Sequence, residues 1–159
     1  METPQDSGFQ PATGDGPVLG GTAEERAREV RAAFEGMLQI RRLTGAERTD
    51  PEGVPASWER LRPLRAVALA LEAAGFPASA VAASGERART GYRVSEGETP
   101  GSVRVEWAGP HGSGAAHDEE EALGGCGTTL RLLGWTVLSY RGRRRRRFLE
   151  VEPPPGVRA

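Results

Sequence analysis

Apolar residues recur at helical spacing soon after residue 21. Residues 22–25 read Thr-Ala-Glu-Glu, the pattern of a capping box, in which a hydroxyl accepts from an early backbone N–H and a glutamate three residues later reaches back. The two glutamates also complement the positive end of the helix dipole. Apolar positions then repeat over residues 23–38, and Gly45 follows as a stop signal. This pattern predicts a long amino-terminal helix.

Two later stretches share one pattern, in which an apolar stripe ends in a glycine followed by an aromatic residue. The first stripe ends at Gly75 and Phe76, and the second ends at Gly134 and Trp135. A glycine can adopt the left-handed conformation that closes a helix, and the residue after it then folds back onto the last turn. The matched apolar positions are Leu64, Val67, Leu71 and Ala74 in the first stretch and Leu123, Cys126, Leu130 and Leu133 in the second.

Alternation with a period of two residues follows each of these helices. After the first helix, apolar and polar residues alternate over 92–95 and 103–107, with a turn at 96–101. After the second, residues 135–140 and 147–151 alternate on either side of an arginine-rich turn. Such alternation is typical of strands with one buried and one solvated face, so each pair predicts a β-hairpin.

These elements predict an α+β fold with a single domain over residues 22–152. The amino-terminal helix is followed by two helix–strand–strand units, residues 57–107 and 117–152, whose four strands form an antiparallel sheet with the helices packed on one face. The matched stripes indicate an internal repeat, but coincidence accounts for them equally well because glycine-closed stripes are common. Residues 77–89 fit either a short helix or a loop.

Neither end of the chain shows periodicity. Residues 1–21 are rich in glycine, proline, threonine and aspartate, so we expect a disordered tail. Three consecutive prolines end regular structure and leave residues 153–159 as an extended carboxyl-terminal tail. The sequence begins with neither a basic segment nor an apolar block, and no apolar run is long enough to cross a membrane. We therefore expect no signal peptide and no association with membranes.

Composition narrows the chemistry further. The chain has 159 residues and a net charge of −1, and all 21 of its basic side chains are arginine. Without lysine, neither a Schiff base nor a phosphate-binding loop of the P-loop type is available. The single cysteine, Cys126, precludes an internal disulfide, which fits a reducing compartment. We therefore expect a cytoplasmic protein whose net charge exerts little global attraction on nucleic acid.

The arginine run around Gly142 is the most distinctive candidate site. Clustered arginines bind phosphate groups, so a run at a hairpin turn suggests contact with nucleic acid. Two other interpretations stay open. The run could contact an acidic protein partner, or it could be a solvated turn in an arginine-biased sequence, balanced by the acidic residues 118–121. The candidate residues are Arg141, Arg143, Arg144, Arg145, Arg146 and Arg147.

The other reactive side chains indicate no catalytic or metal site. His111 and His117 lie in and just after a glycine-rich loop, at a spacing that matches no metal motif. Cys126 lies on an apolar helical stripe, and Thr128 stands where a nucleophile elbow needs glycine. The acidic residues 118–121 are typical of an ordinary helix start. We expect no metal and no cofactor.

The leading functional hypothesis is a small, non-enzymatic, intracellular binding or accessory protein that acts through protein–protein interaction. It rests on the lack of any positioned acid, base, nucleophile or metal in the sequence. One alternative is a nucleic-acid-binding protein that uses the arginine-rich hairpin 141–147. The other is an enzyme whose site is assembled from residues distant in sequence.

Overall fold

The computed structural model describes residues 8–155. Over that range the chain forms an α+β fold, as predicted, with four α-helices and two antiparallel sheets. None of these helices is long and apolar enough to span a lipid bilayer. The helices are α1 (Ala23–Thr44), α2 (Ser57–Leu61), α3 (Pro63–Ala73) and α4 (Ala115–Leu132), and a 3-10 turn, Pro51–Gly53, lies between α1 and α2.

The strands form two separate sheets. A small sheet pairs β1 (Ala80–Val81) with β2 (Arg87–Arg89), so the stretch 77–89 is neither the helix nor the plain loop that the sequence suggested. The larger sheet comprises β3 (Gly91–Glu96), β4 (Val103–Ala108), β5 (Thr136–Arg141) and β6 (Arg147–Glu152). Its order is β3-β4-β6-β5 with every neighbouring pair antiparallel, so the two hairpins meet through β4 and β6. Whether the two units are a repeat stays a prediction.

The two glycine-closed helices end with the same backbone geometry. Gly75 has a φ of +94° and Gly134 a φ of +90°. The N–H of Phe76 donates to Leu71 O at 3.2 Å, and the N–H of Trp135 donates to Leu130 O at 3.0 Å. Each closure therefore returns the aromatic residue onto the last turn of its helix, as the sequence pattern predicted. Trp135 is buried and Phe76 packs against the core.

The core lies between the helices and one face of the large sheet. Alternate strand residues point to this face, and α3 and α4 bring their apolar stripes against them. Helix α1 packs mainly against α3. The strand residues of this core are Tyr92, Val94, Val103, Val105, Trp107, Val137, Leu149 and Val151. The opposite face of the sheet, which we call the outer face, carries the alternate residues.

The amino-terminal segment differs from the disordered tail that its composition predicts. Residues 9–16, which we call the strap, lie along β3, where Thr13 O accepts from the N–H of Val94 at 2.8 Å. At Gly14, whose φ is +93°, an added Cβ would lie 2.3 Å from Tyr92 O, so no larger residue fits. Side chains of residues far away in sequence also hold the strap, as in the Arg93–Asp15 ion pair and the hydrogen bond from Tyr92 Oη to Ala12 O, which is why its composition did not indicate order. Residues 1–7 and 156–159, the ends of the two predicted tails, lie outside the described residues.

A buried arginine joins the helices at one end of the molecule. Arg41, in the last turn of α1, has a side chain with 0% exposure and donates twice to the equally buried Glu59, at 2.8 and 2.6 Å. Its remaining terminal nitrogen donates to Glu52 O at 2.6 Å and to Leu133 O at 2.7 Å. Glu59 also accepts from the N–H of Ala56 at 2.9 Å. The pair thus ties the end of α1 to α2, to the 3-10 turn and to the end of α4.

The two helix-closing glycines provide a matched test of this packing. Both have positive φ, so alanine at either position costs about 1–2 kcal/mol of backbone energy. At Gly134 an added Cβ would also lie 2.0 Å from Gly53 O, whereas nothing lies within 4 Å at Gly75. We expect Gly134→Ala to lower the free energy of unfolding, measured by urea denaturation, clearly more than Gly75→Ala. Equal losses would contradict the close approach of α4 to residues 51–53.

Candidate binding surface

The β5–β6 ribbon carries the predicted arginine run at its turn. The ladder ends where Arg141 lies opposite Arg147. Two backbone hydrogen bonds close the turn: the N–H of Gly142 donates to Arg146 O at 2.7 Å, and the N–H of Arg146 donates to Arg143 O at 3.2 Å. The turn is therefore an ordered loop and not an open extension of the strands.

Two of the six candidate arginines anchor the ribbon to α4. Arg146 Nε donates to the buried carboxylate of Glu119 at 2.5 Å, and its Nη2 donates to Trp107 O at 2.7 Å. The other oxygen of Glu119 accepts from the backbone N–H of Arg147 at 2.6 Å, and the Arg147 side chain lies 3.4 Å from Glu120. For these two arginines, balance by the acidic turn of α4 is the interpretation that the structure supports.

The other four candidates have no such partners. Arg141, Arg143, Arg144 and Arg145 are exposed, and their guanidinium groups form no hydrogen bond or ion pair with any group in residues 8–155. The three loop residues Arg143–Arg145, which we call the arginine tip, form a tight turn in which Arg144 and Arg145 have left-handed backbone conformations. The structure thus divides the run into a fixed base and an available tip.

The backbone of the arginine tip is energetically unfavourable for its sequence. Arg144 and Arg145 have φ values of +57° and +61°, whereas every other residue with positive φ in the described part of the chain is glycine. A left-handed conformation costs a residue with a Cβ about 1–2 kcal/mol. Bias in composition does not account for the choice, because the chain contains 22 glycines beside its 21 arginines. Arg144 and Arg145 therefore occupy backbone conformations that glycine would adopt at lower cost.

An aromatic pair, with Tyr140 exposed and Phe148 partly buried, lies beside the tip on the outer face of the sheet. Tyr140 lies opposite Phe148, and their rings stack with centroids 5.5 Å apart and planes 25° apart. Tyr140 is 47% exposed, and Leu138, two residues away on the same face, is 45% exposed. The Arg104 guanidinium lies 3.9 Å from the centroid of the Phe148 ring. We call Leu138, Tyr140, Phe148 and Arg104 the ribbon patch.

Tyr140 and Phe148 lie on strands, as the alternation predicted, but their stacking on the solvated face was not predicted. The phase of the alternation does indicate this position. Both residues are out of phase with the core positions Val137 and Leu149, so alternation places them on the solvated face.

The two edge strands of the large sheet, β3 and β5, differ in what covers them. The strap covers the edge formed by β3, through hydrogen bonds such as that from Val94 to Thr13. No strand within residues 8–155 pairs with the outer edge of β5, but Arg131 Nη2 donates to Val137 O at 3.2 Å there. A charged side chain on an edge carbonyl opposes the addition of a further strand. The outer face of the ribbon, where Leu138 and Tyr140 are exposed, is therefore its more accessible side.

The histidines and the cysteine form no common site within the described residues. His111 and His117 are both exposed, and residues 8–155 contain no group of three or more His, Cys, Asp or Glu side chains that could hold a metal ion. Cys126 is buried in the core, and this burial raises the pKa of its thiol to about 12. The thiol is therefore protonated and inert at neutral pH. Of the glycines beside it, Gly125 makes room for the Phe76 ring, since an added Cβ would lie 3.2 Å from it.

Two open cavities of about 750 Å³ each share residues of the strap. One lies against the α2–α3 junction and the β3–β4 turn, and the other lies against α1 and the end of α3. Neither contains a residue of the ribbon patch or the arginine tip.

No protein-family model, curated protein or solved structure matches this chain.

Two substitutions within the arginine tip test its unfavourable backbone. Arg144→Gly and Arg143→Gly each remove one positive charge, but only Arg144 has a left-handed backbone. Since glycine adopts that conformation without a steric penalty, we expect the free energy of unfolding of Arg144→Gly to exceed that of Arg143→Gly by at least about 1 kcal/mol. Urea denaturation measures the difference. If both variants lose the same stability, the tip holds no strained arginine.

Proposed function

We propose that the protein is a non-enzymatic binding protein that recognises a partner protein through the ribbon patch and the arginine tip. The partner segment that fits is apolar where it crosses the patch and acidic where it passes the tip. The stack of the exposed Tyr140 on the partly buried Phe148, adjacent to arginines without carboxylate partners, is the observation that carries this proposal.

The chemistry of the patch resembles the centre of a protein interface. Such centres are enriched in aromatic residues and arginine and depleted of lysine and carboxylates. In the ribbon patch, Arg104 is already held over the Phe148 ring, so little side-chain entropy remains to be lost there on binding. Leu138 and Tyr140 expose apolar surface that a partner would remove from water.

Nucleic acid is the second candidate, because stacked aromatics beside clustered arginines also bind single strands. The acidic turn of α4 argues against it as the first choice. Asp118 and Glu121 are exposed on the same helical turn as Glu119, which touches the base of the tip. A long polyanion would meet this negative charge, whereas a short acidic segment can remain on the outer face.

The predicted repeat accounts for the location of the surface in the second unit. If residues 57–107 and 117–152 are duplicated units, β3 and β5 are equivalent edge strands on either side of the β4–β6 centre. The strap occupies the edge of the first unit, while the ribbon of the second unit has no covering segment in the described residues. The duplication would thus have left one hairpin for structure and the other for recognition.

Titration of the isotope-labelled full chain with a short peptide that has an apolar half and an acidic half tests the proposal. We expect amide shift changes concentrated in residues 136–149, and an affinity weakened about tenfold or more by Leu138→Ser with Tyr140→Ser, since truncating central interface residues costs over about 1 kcal/mol each. Replacing Arg143 and Arg145 with serine should weaken binding as well and reduce its salt dependence.

The control is Leu132→Ser, which removes a leucine outside the patch that is 77% exposed, against 45% for Leu138. A peptide with serine in place of its apolar residues, and single-stranded oligothymidine, complete the comparison. Stronger binding of oligothymidine, lost with the tip arginines, would favour the nucleic-acid function. Shifts spread over the whole chain, or no binding of either probe, would contradict a recognition surface on the ribbon.

A further inference from the structure

The cavity between the strap, α1 and the end of α3 has a volume of about 750 Å³. Small-molecule sites typically enclose roughly 300–1,000 Å³, so its size suits a small ligand. The described residues in its wall all lie within residues 10–89, so it shares none with the ribbon patch or the arginine tip.

One part of the wall is apolar and incompletely covered. Val18 and Leu19, in the loop between the strap and α1, are 46% and 48% exposed. Phe34 on α1 and Phe76 after α3 also line the cavity and are only partly buried. Such side chains gain free energy when an apolar chain removes them from water, at about 25 cal/mol per Å² of apolar surface.

The polar part of the wall has an excess of positive charge. Glu72 is the only carboxylate among the described residues that line it, and Arg26 neutralises that group with two hydrogen bonds of 2.6 and 2.8 Å. Arg31 and Arg89 also line the cavity, and their guanidinium groups have no hydrogen-bond or ion-pair partner within residues 8–155. Two available cations beside an apolar wall complement a ligand with an anionic head group and an apolar chain.

We infer that this cavity binds an amphiphile with a single carboxylate head group, that is, an alkyl carboxylate. The alkyl chain lies against Val18, Leu19 and the two phenylalanines. The carboxylate accepts hydrogen bonds from Arg31, Arg89 or both. This site carries a second binding activity, separate from the recognition of a partner protein.

Calorimetric titration of the full chain with decanoate, decanol and decyltrimethylammonium, each below its micellar concentration, tests the inference. We expect saturable binding of one decanoate per chain, about tenfold weaker binding of decanol, and no saturable binding of the cationic amphiphile. Arg31→Ser with Arg89→Ser should weaken decanoate about tenfold or more and leave decanol unchanged. Leu19→Ser should weaken both.

Two exposed residues outside the cavity provide controls that should leave the affinity for decanoate unchanged. They are Arg28→Ser, on the same helix as Arg31, and Leu43→Ser. All of the test substitutions are at exposed positions, so far-ultraviolet circular dichroism should show an unchanged fold.

Three results would overturn the inference. The first is the lack of saturable decanoate binding, and the second is an equal affinity for all three head groups. The third is that the heat measured on adding decanoate arises from dissociation of a dimer, which would show that a second copy of the chain occupies the cavity. Because the cavity shares no residue with the ribbon, none of these results bears on the proposed recognition of a partner protein.

Discussion

The buried ion pair between Arg41 and Glu59 is the constraint on which the arrangement of the helices depends. Two charges with no exposure to water are stable only when every donor and acceptor is satisfied. Here the guanidinium bonds the carboxylate twice and two backbone carbonyls once each, one of which, Leu133 O, ends α4. The direction of the chain after α4, and hence the start of β5, follows from this bond together with the close contact of Gly134 on Gly53.

A second buried carboxylate, that of Glu119, likewise joins elements that are distant in sequence. Glu119 holds the Arg146 side chain and the Arg147 backbone, which fixes the base of the ribbon on α4. The arginines beyond this anchor have no carboxylate partner in residues 8–155, and their backbone carries a conformational cost that glycine would avoid. The structure therefore divides the run: Arg146 and Arg147 are bound to α4, and the guanidinium groups of the others have no partner within residues 8–155.

Local signals in the sequence predicted much of the fold, because helix closure and strand alternation are decided within a few residues. The geometries of Gly75 and Gly134 are of this kind. The burial of Arg41 was not predictable, since its partners lie up to 92 residues away and an arginine near a helix end is ordinarily solvated. The strap was not predicted because its contacts are with residues far away in sequence, such as Val94 and Arg93, and these leave no pattern in composition. The sequence did not show which arginines of the run have partners, because this depends on contacts of Glu119 with the ribbon. Strand alternation does not specify contacts between elements.

A double-mutant cycle on the free energy of unfolding, with Arg41→Met and Glu59→Gln, tests the central constraint most directly. The exposed neighbouring pair of Arg42 and Glu35 serves as the reference cycle. We predict that either single substitution at the buried pair costs about 3–5 kcal/mol, and that the double variant loses much less than the two losses combined. A coupling no greater than that of the exposed pair would show that the buried contact does not organise the helices.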